Sequence, residues 1–124
     1  MNKRLVTLGV VLLLISTVLV GCGGMSLKLL DKTNTPIGWE YANVLVKNFQ
    51  NTEENWTKLK EYGDKFDEGM PQLVIIFYSD ESKVIPTNTP QILSINSSME
   101  GVIGIYNRMG GSSWLSKSPK YTQP

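Results

Sequence analysis

Leu73-Val74-Ile75-Ile76-Phe77-Tyr78 is six apolar or aromatic residues in a row, closed by Pro71 before it and by Ser79-Asp80-Glu81 after it. A run of this length without polar alternation has no solvent face, so it predicts a central strand covered on both sides. Upstream, Tyr41-Ala42-Asn43-Val44-Leu45-Val46-Lys47 alternates in part. Ala42, Val44 and Val46 fall on one face of a strand, with Tyr41, Asn43, Leu45 and Lys47 on the other, which predicts one well-buried face.

Between these two segments the period changes. Trp56, Leu59, Tyr62, Gly63 and Phe66 recur at spacings of three and four, the pattern of an amphipathic helix of about four turns. Thr52 is placed to cap its first amides, Glu53 and Glu54 complement the positive end of its dipole, and Gly69 with Pro71 supplies a stop. Glu54 with Lys58 and Glu61 with Lys65 are i,i+4 pairs on the solvated face. Strand, helix and strand in succession form a βαβ unit with its two strands parallel and adjacent or nearly so.

Further out the signals weaken. Ser26 to Leu30 predicts a short first strand and Thr33-Asn34-Thr35-Pro36 a turn. From Asp80 to Glu100 the chain is polar, and Pro86, Asn88 and Pro90 argue against helix, while Ile92, Leu93 and Ile95 could add a short strand. Val102-Ile103-Gly104-Ile105-Tyr106 predicts another strand. Gly110-Gly111-Ser112-Ser113 turns the chain, and Trp114-Leu115 docks ahead of a loosely ordered, proline-containing tail. The expected fold is α+β: a small βαββ sandwich, one amphipathic helix on a mixed sheet of three to five strands.

The amino terminus is of another kind. Met1 to Arg4 is a short basic segment, Leu5 to Val18 is apolar apart from Thr7, Gly9, Ser16 and Thr17, and small residues follow. That is the three-part plan of a secretory signal. Leu19-Val20-Gly21-Cys22 resembles the lipobox of bacterial lipoproteins at all four positions. The resemblance implies cleavage between Gly21 and Cys22 and a diacylglyceryl group on the Cys22 sulfur. Two acyl chains hold a protein on a bilayer far more firmly than one. The division that follows is a signal peptide over residues 1–21, a lipidated cysteine and tether over 22–25, and a single domain over 26–124. The expected location is the cell membrane, lipid-anchored on the extracytoplasmic face.

Charge and composition exclude several functions. Removing Lys3 and Arg4 leaves ten basic against eleven acidic residues, a net charge of −1. A near-neutral domain has no electrostatic footprint for nucleic acid. No five-residue window is rich enough in Lys or Arg for a polybasic lipid patch. One cysteine allows no internal disulfide, and the absence of histidine removes imidazole triads and histidine metal sites. Ser79, Ser82 and Lys83 do not have Ser-x-x-Lys spacing. Asp80 and Glu81 follow a central strand, and Asp64, Asp67 and Glu68 lie near the helix end, but neither set has the alternating oxygen ligands of a calcium loop. The reading is no catalytic residue, no metal, no cofactor and no small-molecule substrate.

What remains is aromatic surface: Trp39 and Tyr41 before and within the first main strand, Trp114 after the last, and Tyr78, whose neighbour Phe77 faces the other way; of these Trp39, Tyr41 and Trp114 are the candidate interface, because tryptophan and tyrosine are frequent anchors of protein contacts. The succession from Glu40 to Lys47, Thr52 to Leu59, Leu73 to Asp80 and Gly104 to Tyr106 resembles a small βαββ domain of secreted or lipid-anchored Gram-positive proteins. Size and leader are similar to those of small lipoproteins of conjugative elements and prophages, some of which block entry of a second copy. The resemblance implies a non-catalytic binding lipoprotein with membrane lipid at Cys22 and a membrane or surface protein as partner. An exclusion or immunity factor against a conjugative element, phage or bacteriocin is the first expectation. An accessory or structural subunit of a resident envelope complex is the second, and a hydrolase is a distant third.

Overall fold

The computed structural model describes residues 24–66 and 71–122. The leader, Cys22, Gly23, Asp67, Glu68, Gly69, Met70 and the last two residues lie outside the described residues, and with them the cleavage site and the helix stop assigned to Gly69. Within the described residues the elements are β1 (Ser26–Asn34), β2 (Trp39–Lys47), α1 (Glu53–Asp64), β3 (Gln72–Tyr78), β4 (Val102–Met109), β5 (Ser112–Lys117) and a short α2 (Pro119–Thr122). Two 3₁₀ turns, Glu81–Lys83 and Pro90–Ser94, interrupt the interval between β3 and β4. The expected α+β class holds: one helix packs on a five-stranded mixed sheet. Among the described residues no helix is long and apolar enough to cross a membrane.

The strands follow each other in spatial order β1-β2-β3-β4-β5. Only β2 and β3 are parallel, joined through α1, and the other three pairs are antiparallel. The apolar run therefore occupies the middle of the sheet, and its residues divide by parity between two cores. Leu73, Ile75 and Phe77 meet α1 with Ala42, Val44, Val46, Leu59 and Tyr106. Val74, Ile76 and Tyr78 point to the opposite face with Tyr41, Ile92, Val102 and Ile105.

This second core corrects the expectation for β2. Every residue from Glu40 to Val46 is buried, not one face alone, because the chain between β3 and β4 folds back over the side that bears Tyr41 and Asn43. The clasp is made of hydrogen bonds. Asp31 Oδ2 accepts from the Thr87 amide and hydroxyl, both at 2.9 Å, and the Thr33 and Thr87 hydroxyls are 2.8 Å apart. Asn43 Nδ2 donates to the Ile85 carbonyl at 2.7 Å, and the Ile85 amide donates to the Tyr78 hydroxyl. Asp31 Oδ1 and Asn43 Oδ1 are buried without a hydrogen-bond partner among the described residues, so the clasp is tied by fewer bonds than its groups can make. Thr87→Val keeps the shape and removes the hydroxyl. It is expected to cost about 1–2 kcal/mol and to raise amide exchange across residues 80–100 before the sheet. An unchanged urea midpoint with unchanged exchange would remove the clasp from the account.

The other differences from expectation are local. β1 runs four residues beyond Leu30, with a register shift between Leu29 and Asp31. The turn sits at Thr35-Pro36-Ile37-Gly38, where Gly38 has φ +92° and donates to the Thr35 carbonyl. Ile92 and Leu93 belong to the 3₁₀ turn Pro90–Ser94, and Ile95 is its C-cap, so no strand forms there. Pro90 fixes φ at the start of that turn and supplies no amide for a ladder. Met25, placed in the tether by sequence, is 1% exposed in the helix-side core.

Helix α1 is twelve residues, shorter than the four turns expected, and Phe66 lies past its end. Thr52 caps it as expected, its hydroxyl accepting from the Asn55 amide at 3.2 Å. At the other end Arg108 Nη1 donates to the Gly63 and Phe66 carbonyls, a cation on the negative end of the dipole. Glu54 pairs with Lys58 as expected, whereas the ion pair near the C-terminus is Lys60 with Asp64 rather than Glu61 with Lys65.

Asp64 also accepts from the Tyr106 hydroxyl at 2.7 Å and the Ser113 hydroxyl at 3.0 Å, so one carboxylate ties α1 to β4 and β5. Burial alone pushes this carboxyl up, but Tyr106, Lys60 and Ser113 together hold it below its ordinary value of 3.8. A depressed carboxylate stabilises the fold at pH above that ordinary value, and the contribution is lost as pH falls through the folded-state value. Asp64→Asn is therefore expected to flatten the acid limb of a stability-against-pH curve below about pH 4, as followed by denaturant unfolding. An acid limb as steep as that of the wild type would contradict this.

The described part of the tail packs on the domain. Tyr121 of α2 packs edge-on against Phe49 and Trp56, with centroids 5.3 and 5.8 Å away, and its carbonyl accepts from Asn51 Nδ2. Three aromatic rings drawn from a 73-residue span of chain thus close one end of the helix-side core.

Candidate functional site

The register puts the three aromatic residues chosen from sequence on one face. Tyr41 lies opposite Val74, Val74 opposite Asn107, and Asn107 opposite Trp114. Directly opposed residues share a face, so this row crosses four strands on the side away from α1. Trp39, two residues before Tyr41 in the same strand, faces the same way and stacks on it, with centroids 6.0 Å apart and planes 11° from parallel. Leu115, next to Trp114, packs on the helix side, as strand alternation requires.

The clasped segment covers only part of this face. Beside it a groove of about 400 Å³ remains, walled by Trp39 and Tyr41 on one side and by Ile92, Leu93 and Ile95 at one end. Its floor is Val74, Ile105 and Asn107. Trp114 stands on β5 next to the lining residue Ser116 and opposite Asn107, at the far rim. Strands lie about 4.8 Å apart, so Tyr41 and Trp114 are separated by roughly 14 Å across the groove.

The three residues are not equivalent. Tyr41 is 8% exposed and serves as wall, with burial pushing its hydroxyl pKa up. Trp39 is half-buried by its neighbours. Trp114 is 45% exposed and is the one with a large free surface. Sequence reasoning missed Leu93, 74% exposed at the groove's end, and Met109, 42% exposed on the same face one row from Trp114. The signal for Met109 lies in the glycine pair that follows it. Gly110 and Gly111 have φ +56° and +89°, so they form a two-residue hairpin turn that puts Met109 opposite Ser112. That makes Ser112 and Ser113 strand residues, not part of the turn.

The remaining polar candidates serve the fold. Ser79 Oγ donates to the Gly101 carbonyl at 3.4 Å, and Lys83 pairs with Glu100 at 3.5 Å. Asp80 accepts from the Ser82 amide and hydroxyl, which hold its carboxyl below the ordinary value. Ser79, Ser82 and Lys83 are thus each directed to a different partner. Among the described residues no group of three Cys, Asp or Glu side chains converges as a metal site. A smaller recess of about 190 Å³ lies at the other end of the sheet, between Ser98–Val102 and Ser118–Tyr121.

No family model, no curated protein and no solved structure matches the chain.

Proposed function

We propose that the chain is a lipid-anchored, extracytoplasmic binding module that takes a protein partner on the aromatic-walled groove of its sheet. The observation that carries this reading is that Trp39, Tyr41 and Trp114, up to 75 residues apart in sequence, share one face of the sheet, with Trp39 and Tyr41 lining a shallow groove and Trp114 standing just beyond its lining residues Asn107 and Ser116. Partly exposed tryptophan with aliphatic neighbours is the composition of protein contact surfaces. Asn96, Ser97, Asn107 and Ser116 supply polar groups that fix orientation.

The anchor is read from Leu19-Val20-Gly21-Cys22, and the biological role from the size and leader: exclusion or immunity against an incoming conjugative element, phage or bacteriocin. The test uses the full-length protein in intact cells, with a photo-crosslinking residue at position 114, in the presence and absence of incoming DNA. Cys22→Ser is expected to release the protein from the membrane and abolish protection while the domain stays folded. A crosslink to a resident membrane complex, with acquisition of mobile elements unchanged on deletion, would replace exclusion by the accessory-subunit role.

A further inference from the structure

The fold leaves almost no free chain between Cys22 and the domain. Met25 is core, and Gly24, one residue earlier, already accepts a hydrogen bond on its carbonyl from Asn48 Nδ2 at 3.1 Å. Asn48 holds that position in a left-handed conformation, φ +61°, which asparagine tolerates better than most residues. Consecutive Cα atoms are 3.8 Å apart, so Gly24 is within about 8 Å of Cys22 and Met25 within about 11 Å.

That fixes which end of the sheet is near the anchor. Ser26 begins β1 opposite Lys47, the last residue of β2. β3 ends beside them because it is parallel to β2, β4 starts there, and β5 finishes there at Lys117. The hairpin tips, with Ile37 between β1 and β2 and Gly110-Gly111 between β4 and β5, lie at the opposite end. Nine residues of β2 separate the two ends by roughly 25–30 Å.

Lys28, Lys47, Lys117 and Lys120 are exposed at or near the anchored end, brought there from three separate stretches of chain. The exposed apolar residues Ile37 and Met109 are at the far end, and Trp39 and Trp114 lie toward it. Asp80, Glu81 and Glu100, with Glu53 and Glu54 in the first turn of α1, are exposed at the same end, Glu100 bound to Lys83 and Glu54 to Lys58, so chain length and not net charge determines the orientation.

We infer that the sheet end bearing Ser26, Lys47 and Lys117 rests on phospholipid headgroups, so that the domain stands upright with its hairpin tips and the aromatic half of its groove directed away from the bilayer. The inference rests on Cys22 being the acylated residue. Lysines near an anionic surface add attraction that the neighbouring carboxylates offset, and a partner meets Trp114 from the solvent side.

Cys22 is the only cysteine, and once acylated it does not react with a maleimide, so single engineered cysteines can be labelled cleanly in the full-length lipidated protein. Lys47→Cys, Lys117→Cys, Ile37→Cys and Gly110→Cys would carry a fluorophore. The protein would be inserted in vesicles of phosphatidylethanolamine and phosphatidylglycerol containing a headgroup spin label. Strong quenching at positions 47 and 117 with little at 37 and 110 is expected. Acylated protein quenched equally at all four positions, or more at 37 and 110, overturns the orientation alone. A wild-type protein whose mass shows no acyl group overturns the anchor itself, and the orientation with it.

Discussion

Gly63→Ala is expected to destabilise the domain by about 2 kcal/mol, although alanine is the better helix former by about 1 kcal/mol. A Cβ at Gly63 would sit 2.5 Å from Cγ, Cδ2 and Cε2 of Tyr106. The obstacle is the body of a ring, not the movable end of a chain. That ring is fully buried, and its hydroxyl is tied to Asp64, the next residue of the same helix. The ring therefore cannot turn aside without breaking the bond that docks α1 to β4, and α1 must lift instead. Lifting also opens the contacts of Trp56 and Leu59 with Phe77 and Ile103. The measurement is the urea midpoint, with a melting temperature lower by roughly 10 °C for a domain of this size.

The Tyr106→Leu background makes this a test of cause. Alone, that change loses the Asp64 bond and leaves space. Combined with Gly63→Ala it should cost less than the two separate losses by at least about 1 kcal/mol, because the added methyl fills what the ring vacates. Strict additivity, or a wild-type midpoint for Gly63→Ala, would show that the helix and strand are not in the tight contact described.

Gly63 also shows where the sequence is legible and where it is not. Its place in the three- and four-residue pattern put it on the buried face, but periodicity cannot say that a ring from 43 residues away presses on it. The same division holds elsewhere. Leu73 to Tyr78 and the helical stripe are readable because burial on both faces, or on one stripe, shows directly in local order. β5 is not readable that way: Ser112-Ser113-Trp114-Leu115-Ser116-Lys117 is an edge strand with one neighbour, and its composition carries no core signal. The clasped segment is harder still. Its position is set by Thr87, Ile85 and Ile92 meeting Asp31, Asn43 and the sheet, partners roughly 40 to 60 residues away whose side chains look like ordinary loop and strand polarity. Misreading Ile92, Leu93 and Ile95 as a strand followed from the same limit, since one apolar residue tucked under a 3₁₀ turn fits strand spacing equally well. The aromatic trio was chosen by residue type alone, and only the register of four strands shows that its members share a face.

That shared face makes Trp114→Ala the substitution with the largest expected effect on binding. The side chain is 45% exposed on an edge strand, so its removal should cost the fold less than about 1 kcal/mol. Anchoring tryptophans at protein contacts are worth 2 kcal/mol or more, which is about a thirtyfold rise in Kd. Loss of photo-crosslinking from neighbouring positions 107 and 116, with an unchanged urea midpoint, is the expected outcome. Ile37→Ala supplies the control, because Ile37 is 81% exposed at the β1–β2 turn and lies outside the groove. A general apolar attraction to the end of the domain would be weakened by Ile37→Ala as much as by Trp114→Ala, whereas a partner seated across the groove would respond to Trp114 and to Leu93→Ser but hardly to Ile37. Equal effects at 37 and 114 would move the contact from the groove to the hairpin tips. No effect at either would leave Trp39 and Tyr41 as core residues closing the edge of a small sheet.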